Sequence, residues 1–352
     1  MAGLAVIKPR FWRGKRVFVT GHTGFKGSWL CLLLHLLGSK VTGYALAAPT
    51  TPNLFELGRI KELISSFHGD VRDLTNLTKI IKKAKSEIVM HLAAQPIVRH
   101  SYEVPVETFE TNVMGTVNLL EAARACPSVK SIVVITTDKV YENNRVKGQG
   151  SRVKGFKEND PLGGYDPYSS SKAAAELVAN SYQCSYGLKI ATARAGNVIG
   201  GGDFASDRLV PDFVRSIITK KSIKLRHPQA VRPWQHVLEP LCGYLLLAQE
   251  GATGAWNFGP SKKDVATVGS LVKKLCMVWD RRASFKIDPA KHLHEAHYLA
   301  LDSKKAQTKL GWQPKWNLDK SLNKIIAWTQ AYLAGQEMRE VTLAQIQEYL
   351  ND

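Results

Sequence analysis

Two side chains suited to taking a proton from an alcohol stand at the start of a predicted helix, in the segment Tyr168-Ser-Ser-Ser-Lys172. Their spacing of four residues places the phenol and the ammonium on the same side of that helix. A nearby cation favours the phenolate, so we expect Lys172 to lower the pKa of Tyr168 toward the working pH. The pair therefore predicts a general base for a hydroxyl group whose carbon gives up a hydride.

A glycine-rich turn supplies a site for the dinucleotide that would accept this hydride. It reads Gly21-His22-Thr23-Gly24-Phe25-Lys26-Gly27 and follows the apolar strand Arg16–Thr20. The glycines permit a tight turn, and the N-terminus of the next helix offers N–H groups and partial positive charge to a pyrophosphate. We predict that residues 21–27 bind the cofactor.

The end of the second predicted strand leaves the choice between NAD and NADP open. An acidic residue for the ribose hydroxyls is expected near Ala45, but no carboxylate occurs before Glu56 and no arginine is close enough for a 2′-phosphate. Further along, Asp70 and Val71 either frame the adenine ring or form a polar strand end.

The elements that must position these groups alternate along the chain. Predicted strands cover residues 16–20, 40–44, 88–94, 131–136, 189–195 and 255–258, and predicted helices cover 28–37, 107–126, 170–186, 236–250, 264–280, 318–333 and 339–350. The pattern predicts an α/β fold, a Rossmann-type doubly wound parallel sheet with a smaller mixed α/β C-terminal substrate lobe. We assign residues 1–195 to the dinucleotide-binding domain, with 236–260 returning to it, and residues 196–235 and 261–352 to the lobe.

A polar triplet, Thr137-Asp138-Lys139, directly follows the predicted strand 131–136. In doubly wound sheets, ligands bind beyond the carboxyl ends of the strands. The triplet, the glycine turn and the Tyr168/Lys172 pair should therefore converge there.

Composition and charge exclude several other classes of protein. The formal net charge is +18, but the basic residues are scattered without a nucleic-acid-binding motif, which favours a field that attracts a small anionic substrate. No apolar run is long enough to cross a bilayer, and five separated cysteines predict buried thiols. We expect a cytoplasmic protein with no nucleic-acid, membrane or metal partner, and interpret His292, His294 and His297 as a packed loop.

Six motifs occur in a fixed order along the chain. They are residues 21–27, His91-Leu-Ala-Ala-Gln95, Asn112, Thr136-Thr-Asp-Lys-Val-Tyr141, Tyr168-xxx-Lys172 and Arg194-Ala-Gly-Asn197. This set resembles the extended short-chain dehydrogenase/reductase family of nucleotide-sugar enzymes. Residues 161–172, 197–203, 232–236 and 299–302 extend the resemblance, which is strongest to dehydratases of that family and runs from about residue 11 to about residue 333.

The resemblance implies an internal NAD redox cycle that converts CDP-glucose to CDP-4-keto-6-deoxyglucose and water. Tyr168 would take the O4 proton while the C4 hydride leaves, and Lys172 and Thr137 would assist. Asp138 and Lys139 would be the acid and the base that remove the C6 hydroxyl and the C5 proton. A lysine base needs its pKa lowered from about 10.4 toward roughly 7–8, by burial and a second cation from Lys172 or Lys26.

The resemblance also assigns binding residues and an oligomeric state. Further residues expected to bind the cofactor are Asp70, Val71, Leu92, Ala93, Ala94, Asn112, Thr136, Tyr168 and Lys172. Residues expected to bind the substrate are Gln95, Asn197, Arg208, Arg232 and His236, since arginine suits a bidentate diphosphate contact. A homodimer or homotetramer is implied, with the helices 107–126 and 170–186 at its interface.

Three alternative functions remain open on the sequence. Segment 142–157 is basic and lacks the tryptophans usual in the dehydratases that act on CDP-glucose, so another nucleoside-diphosphate hexose is one alternative. A nucleotide-sugar 4-epimerase would need Tyr168, Lys172 and Thr137 but not Asp138 and Lys139. A non-catalytic dinucleotide-sensing module would need neither member of the Tyr168/Lys172 pair.

Overall fold

The computed structural model describes residues 6–142, 155–280, 284–290 and 298–352. Most of the basic segment 142–157 and the histidines at 292, 294 and 297 lie outside the described residues. Within the described ranges, no helix has both the length and the apolar character that a membrane span requires. Four of the five cysteines are buried, as the sequence predicts, whereas Cys184 is exposed.

Seven parallel strands form the central sheet, in the order β3-β2-β1-β4-β5-β6-β11. They are β1 Arg16–Thr20, β2 Lys40–Ala45, β3 Ser65–His68, β4 Ile88–His91, β5 Ser131–Ile135, β6 Ile190–Ala195 and β11 Gly254–Phe258. Every residue of β4, β5 and β6 is buried, because helices cover both faces of the sheet. The strand order reverses direction between β1 and β4, where doubly wound sheets bind their ligands.

Helices on both faces complete the dinucleotide-binding half. One face carries α2 Phe25–Leu36, α10 Leu238–Gln249, α12 Lys304–Leu310 and α14 Met338–Asn351, and the other carries α4 Leu74–Ala84, α7 Gly115–Arg124 and α8 Pro167–Tyr186. Shorter helices are α1 Pro9–Trp12, α3 Leu54–Leu57, α5 Val98–Glu103 and α6 Pro105–Phe109. A π-helical turn, Glu110–Met114, joins α6 to α7.

A smaller lobe lies beyond the carboxyl end of β6. Its elements are β7 Val198–Ile199, α9 Leu209–Ile218, β8 Ile223–Leu225, β9 Val231–Pro233, β10 Gln235–His236, β12 Val265–Thr267, α11 Val268–Trp279, β13 Phe285–Ile287 and α13 Leu318–Leu333. The strands form three two-stranded pairs, β7 with β10, β8 with β13 and β9 with β12. Side chains such as Phe213, Leu271 and Leu322 form a separate core for the lobe.

The predicted fold class is confirmed, and the differences are local. Helix α2 begins at Phe25, inside the predicted turn, and the predicted helix 107–126 is interrupted by the π-helical turn. The prediction omitted the edge strand β3 and the helix α4. Helices α12 and α14, assigned to the lobe, instead contribute Ala306, Met338 and Ile346 to the core beneath the main sheet.

Candidate active site

The glycine turn fits a bound pyrophosphate, and its glycines are required for different reasons. Gly21 has φ 73°, and a Cβ there would lie 2.7 Å from the backbone nitrogen of Ala93. A Cβ on Gly27 would lie 2.1 Å from the Gly21 oxygen, whereas one on Gly24 would meet only that oxygen, at an ordinary 3.5 Å. Gly24 caps α2 without a side-chain hydrogen bond, so the N–H groups of the first turn can bind an anion.

Two side chains of the turn hold it against the neighbouring strands. His22 is buried, and its Nε2 lies 2.7 Å from Ser66 Oγ. Burial lowers its pKa to about 4, and its ring fills the space above Gly43. Thr23 Oγ1 donates to the carbonyl of Leu46 at 3.0 Å. These side chains fix the shape of the turn, so a cofactor contact from His22 or Thr23 would come from the backbone.

The segment 92–94 after β4 lies beside the turn, where the sequence analysis places it. The backbone nitrogens of Leu92 and Ala93 donate to the carbonyl and the hydroxyl of Thr20, each at 3.2 Å. Residues 92, 93 and 94 are partly exposed. They can therefore contact a ligand bound across the turn.

The side chain of Asn112 is hydrogen-bonded to the backbone of Gln95. Asn112 Nδ2 donates to the Gln95 carbonyl at 3.1 Å and to Ser171 Oγ at 2.9 Å, and its Oδ1 accepts from the Gln95 nitrogen. The Gln95 amide donates to Thr108 and accepts from the Ile97 nitrogen. These buried side chains hold the loop after β4 against α6 and α8, and the predicted ligand contacts of Gln95 and Asn112 stay predictions.

Asp70 and Val71 have separate environments. Asp70 accepts two hydrogen bonds from the guanidinium of Arg72, which lower the pKa of its carboxyl. Val71 is buried and contacts the backbone at Gly115, where a Cβ would lie 2.7 Å from its methyl group. An adenine contact at either residue stays a prediction.

The predicted catalytic tyrosine and lysine lie against the carboxyl end of β5. Lys172 Nζ donates to the carbonyl of Ile135 at 2.9 Å, and the side chain of Thr137 lies close enough to the phenol of Tyr168 to oppose the rise of its pKa. Both α8 side chains are buried, with 8% of Tyr168 and 4% of Lys172 exposed. Thr137, Tyr168 and Lys172 are thus brought together as predicted.

The protonation of this pair differs from the sequence prediction. Burial raises the pKa of Tyr168 to about 12, against the opposing effects of the Thr137 hydrogen bond and the Arg208 charge. Burial also lowers the pKa of Lys172 to about 8, and the carboxylate of Glu176 opposes that shift. For both groups, the cost of placing a charge in the interior outweighs the neighbouring interactions that favour the charged form.

Asp138 is a buried acid with one free oxygen. Its Oδ1 accepts from Thr137 Oγ1 at 3.1 Å, and its Oδ2 has no hydrogen-bond partner among the described residues. Burial raises the pKa of the carboxyl, although the charges of Lys139, Arg232 and Lys26 oppose the shift. A carboxyl whose pKa is raised and whose second oxygen is unused is suited to donating a proton to a ligand. The neighbouring Lys139 is half-buried.

Lys26 adds a cation that connects the glycine turn to the catalytic end of β5. Burial, together with the positive charges of Arg208 and Lys172, lowers its pKa to about 8. Asp138 and Asp203 act in the opposite direction. These groups come from four parts of the chain, so the charges of the turn, the end of β5, α8 and the lobe act on one another.

Three of the predicted substrate residues line the lobe side of this cluster. Arg208 stands at the N-terminus of α9, pairs with Asp203 at 3.0 Å and keeps 32% of its side chain exposed. Arg232 is buried, and its charge acts on Asp138. Asn197 follows β6 and is half-buried. A substrate contact at any of them stays a prediction.

His236 lies in the protein core, away from solvent. Its ring is fully buried between Trp29 and Trp316, with centroids 5.6 Å and 4.8 Å away. Its Nδ1 accepts from the backbone nitrogen of Leu238 at 3.3 Å, and burial lowers its pKa to about 3. His236 is a buried, neutral residue whose Nε2 has no hydrogen-bond partner among the described residues, and a substrate contact there stays a prediction.

A buried ion pair behind the catalytic helix was missed by the sequence reasoning. Glu176 and Arg194 pair at 2.9 Å with about 3% of each side chain exposed, and Thr136 donates to the same carboxylate. Thr136, predicted to bind the cofactor, therefore has its hydroxyl turned toward the protein interior. The spacing of Glu176 four residues after Lys172 was a signal in the sequence, because it places both on one helical face.

The chain belongs to the GDP-mannose 4,6-dehydratase family, whose model matches residues 18–325. Among its relatives, the chain is 49% identical to the CDP-glucose 4,6-dehydratase of Salmonella typhimurium, over 98% of this chain and 99% of that one. The resemblance to nucleotide-sugar dehydratases is thereby confirmed.

Two solved structures share this fold over at least 90% of the chain. A dTDP-glucose 4,6-dehydratase from Streptomyces venezuelae, solved with bound NAD, superposes with a TM-score of 0.80 at 25% identity, covering 92% of this chain and 99% of that one. A UDP-glucose 4-epimerase from Thermotoga maritima gives the same TM-score at 23% identity, over 90% and 99% of the two chains. Since dehydratases and epimerases share this fold, only the side chains of the site can separate the two activities.

Proposed function

We propose that this chain is an NAD-dependent CDP-glucose 4,6-dehydratase, a hydro-lyase that forms CDP-4-keto-6-deoxyglucose and water. The observation that carries this function is the buried carboxyl of Asp138, one hydrogen bond away from Thr137 and holding a free Oδ2. A 4-epimerase needs no proton donor for a departing hydroxyl. The 49% identity to a CDP-glucose 4,6-dehydratase supports the same reaction and substrate.

Each step of the proposed reaction is assigned to a particular residue. When bound, NAD accepts the C4 hydride and returns it to C6. Tyr168 takes the O4 proton, and the high pKa of its buried phenol means that the neighbouring cations must favour the phenolate as the substrate binds. The resulting 4-ketone acidifies the C5 proton, which Lys139 removes. Asp138 donates its proton to the C6 hydroxyl, which leaves as water, and Lys139 returns its proton to C5 when the hydride is delivered to C6.

The binding residues follow from the same arrangement. The N–H groups at the start of α2 and the space at Gly24 suit the pyrophosphate of NAD. Arg208 and Arg232, on the lobe side, would bind the diphosphate of the substrate, and Asn197 the hexose. The long-range positive field of a chain with net charge +18 attracts such a substrate.

The substrate is tested directly by incubating the purified protein with CDP-glucose, dTDP-glucose and UDP-glucose. A 4-keto-6-deoxy product is detected by its absorbance in alkali, and CDP-glucose should be consumed fastest. Faster conversion of another nucleotide sugar would show that this sugar, and not CDP-glucose, is the substrate. Interconversion of C4 epimers without this absorbance would show that the protein is an epimerase.

The assembly proposed is a homodimer or a dimer of dimers, formed through the face that carries α6, α7 and α8. Exposed apolar side chains support it, among them Val106 at 70%, Leu177 at 61% and Met114 at 49% exposure. Leu177→Lys should give monomers in light scattering, whereas Ile287→Lys, equally exposed at 62% but in the lobe, should not. A monomeric wild type at micromolar concentration would contradict the proposal. A cytoplasmic location stays a prediction.

A further inference from the structure

The catalytic helix and the end of β5 are joined residue by residue. The phenol of Tyr168 lies beside Thr137, whose side chain acts on its pKa. Lys172 donates to the Ile135 carbonyl, and Glu176 accepts from Thr136 Oγ1 at 2.5 Å. Tyr168, Lys172 and Glu176 are spaced four residues apart along α8. The third contact therefore continues the two that hold the catalytic side chains.

The Glu176 carboxylate has all of its hydrogen-bonding directions in use. Besides Thr136, it accepts from Arg194 Nε and Nη2 at 2.9 Å each and from Thr192 Oγ1 at 2.5 Å. Thr192 and Arg194 belong to β6, so one carboxylate joins α8 to the ends of two strands. Arg194 extends the network to Tyr141, whose hydroxyl accepts from Nη1 at 2.8 Å.

Stability alone is a poor reason for this arrangement. Removing two charges from water costs several kcal/mol for each, and buried ion pairs are often replaceable by apolar side chains without loss of stability. Apolar side chains could not place a fixed negative charge one helical turn from Lys172. That charge opposes the effect of burial, which by itself lowers the pKa of the Lys172 ammonium.

We propose that the buried Glu176–Arg194 pair is a positioning device for the reaction, which fixes Lys172 and Tyr168 against β5 and keeps Lys172 protonated. Neither residue touches the substrate. The inference rests on the proposed function, because it assigns the pair to the step in which Tyr168 takes a proton. In its absence, Lys172 would lose its proton at lower pH and the phenolate would lose its counter-charge.

The first test compares Glu176→Gln with Thr192→Val. Gln keeps the shape of the side chain but removes the charge, whereas Val removes one hydrogen bond to the same carboxylate and leaves the charge. We expect Glu176→Gln to lower kcat at pH 8 at least about tenfold, the effect of one pKa unit, with little change in KM. The alkaline limb of its pH profile should move to lower pH. Thr192→Val should keep the wild-type pH profile. Glu176→Asp, which retains the negative charge, should also show the wild-type pH profile.

The second test separates positioning from stability. The double variant Glu176→Leu/Arg194→Met replaces the pair with apolar side chains of similar volume. We expect it to melt within a few degrees of the wild type and still show the low kcat and the shifted profile. A folded double variant with wild-type kcat and profile would overturn the inference. Unfolding of both this variant and Glu176→Gln would also overturn it, because the pair would then serve stability.

A third measurement needs no substrate. In protein labelled with ¹⁵N-lysine, the Lys172 ammonium, assigned by its loss in Lys172→Arg, should titrate at lower pH in Glu176→Gln than in the wild type. An unchanged titration would refute the role of Glu176. Product formation by the wild type tests the proposed function separately, so failure of one is distinguishable from failure of the other.

Discussion

The ammonium of Lys172 lies 2.9 Å from the carbonyl oxygen of Ile135, the last residue of β5. The residues that follow Ile135 include Thr137, whose side chain acts on the pKa of Tyr168, and Asp138, whose carboxyl is buried. The base, its cation and the acid therefore meet at the carboxyl end of one strand. The chemistry depends on that alignment of α8 with β5.

Tyr168→Phe should retain the fold and NAD binding but lose at least about 100-fold in turnover, the usual contribution of a general base. The phenol ring contributes packing that Phe preserves, and only the proton acceptor is removed. Turnover is measured by 4-keto product formation, with Tyr165→Phe, 71% exposed, as the control variant. Near-normal turnover of a folded Tyr168→Phe would rule out the assignment.

Gly24→Ala should weaken NAD binding by about tenfold or more while leaving thermal stability almost unchanged. The added Cβ meets only the Gly21 oxygen, at 3.5 Å, so the protein tolerates it, but it occupies the space above the first turn of α2. Gly27→Ala should destabilise the fold, because its Cβ would lie 2.1 Å from the same oxygen. Calorimetric NAD titration and melting curves measure both; undiminished NAD affinity in Gly24→Ala would place the pyrophosphate elsewhere.

Asp138→Asn should slow loss of the C6 hydroxyl and stabilise the protein at alkaline pH. Burial raises the pKa of Asp138, so the folded state binds its proton more tightly than the unfolded chain, and wild-type stability falls as pH rises above the unfolded value of about 3.9. The asparagine side chain does not titrate, so the variant does not lose this stability as the pH rises. The variant should therefore melt at a higher temperature than the wild type at pH 8 but not at pH 4. If Asp138→Asn melts at a lower temperature than the wild type at pH 8, or turns over at the wild-type rate, the assignment of Asp138 as a buried acid is contradicted.

Lys139→Met should pass the C4 hydride to NAD and then stall, because the C5 proton is no longer removed. A reduced-cofactor absorbance should appear and persist, and exchange of the C5 proton with solvent, present in the wild type, should be lost. Isotope exchange is the decisive measurement, since residues that act as a unit give non-additive rate losses. If Lys139→Met exchanges the C5 proton at the wild-type rate, Lys139 is not the base, and its charge would instead tune the pKa of Tyr168.

Features that depend on local sequence were predictable. Apolar runs located β1, β5 and β6 almost to the residue, and the helix Leu318–Leu333 was predicted with its observed bounds. The glycine turn and the Tyr168/Lys172 pair were found because their spacing defines their geometry. The edge strand β3 was missed because its sequence, Ser-Ser-Phe-His, is polar and only partly buried.

The direction of individual side chains was less predictable, because it depends on partners distant in the sequence. Asn112 is oriented by Ser171, 59 residues away, and His236 is enclosed by Trp29 and Trp316. The pKa of Tyr168 is raised rather than lowered for the same reason, since burial by the completed fold exceeds the effect of a local cation. Motif membership therefore located the site but did not determine which side chains face the ligand.

The internal return of the hydride is the central claim, and an isotope transfer measures it most directly. Incubating the wild type with CDP-glucose carrying deuterium at C4 should give a 4-keto-6-deoxy product with that deuterium at C6. No NADH should accumulate during turnover. Product without deuterium at C6, or NADH formed in proportion to substrate consumed, would contradict an internal redox cycle and make the protein a net dehydrogenase.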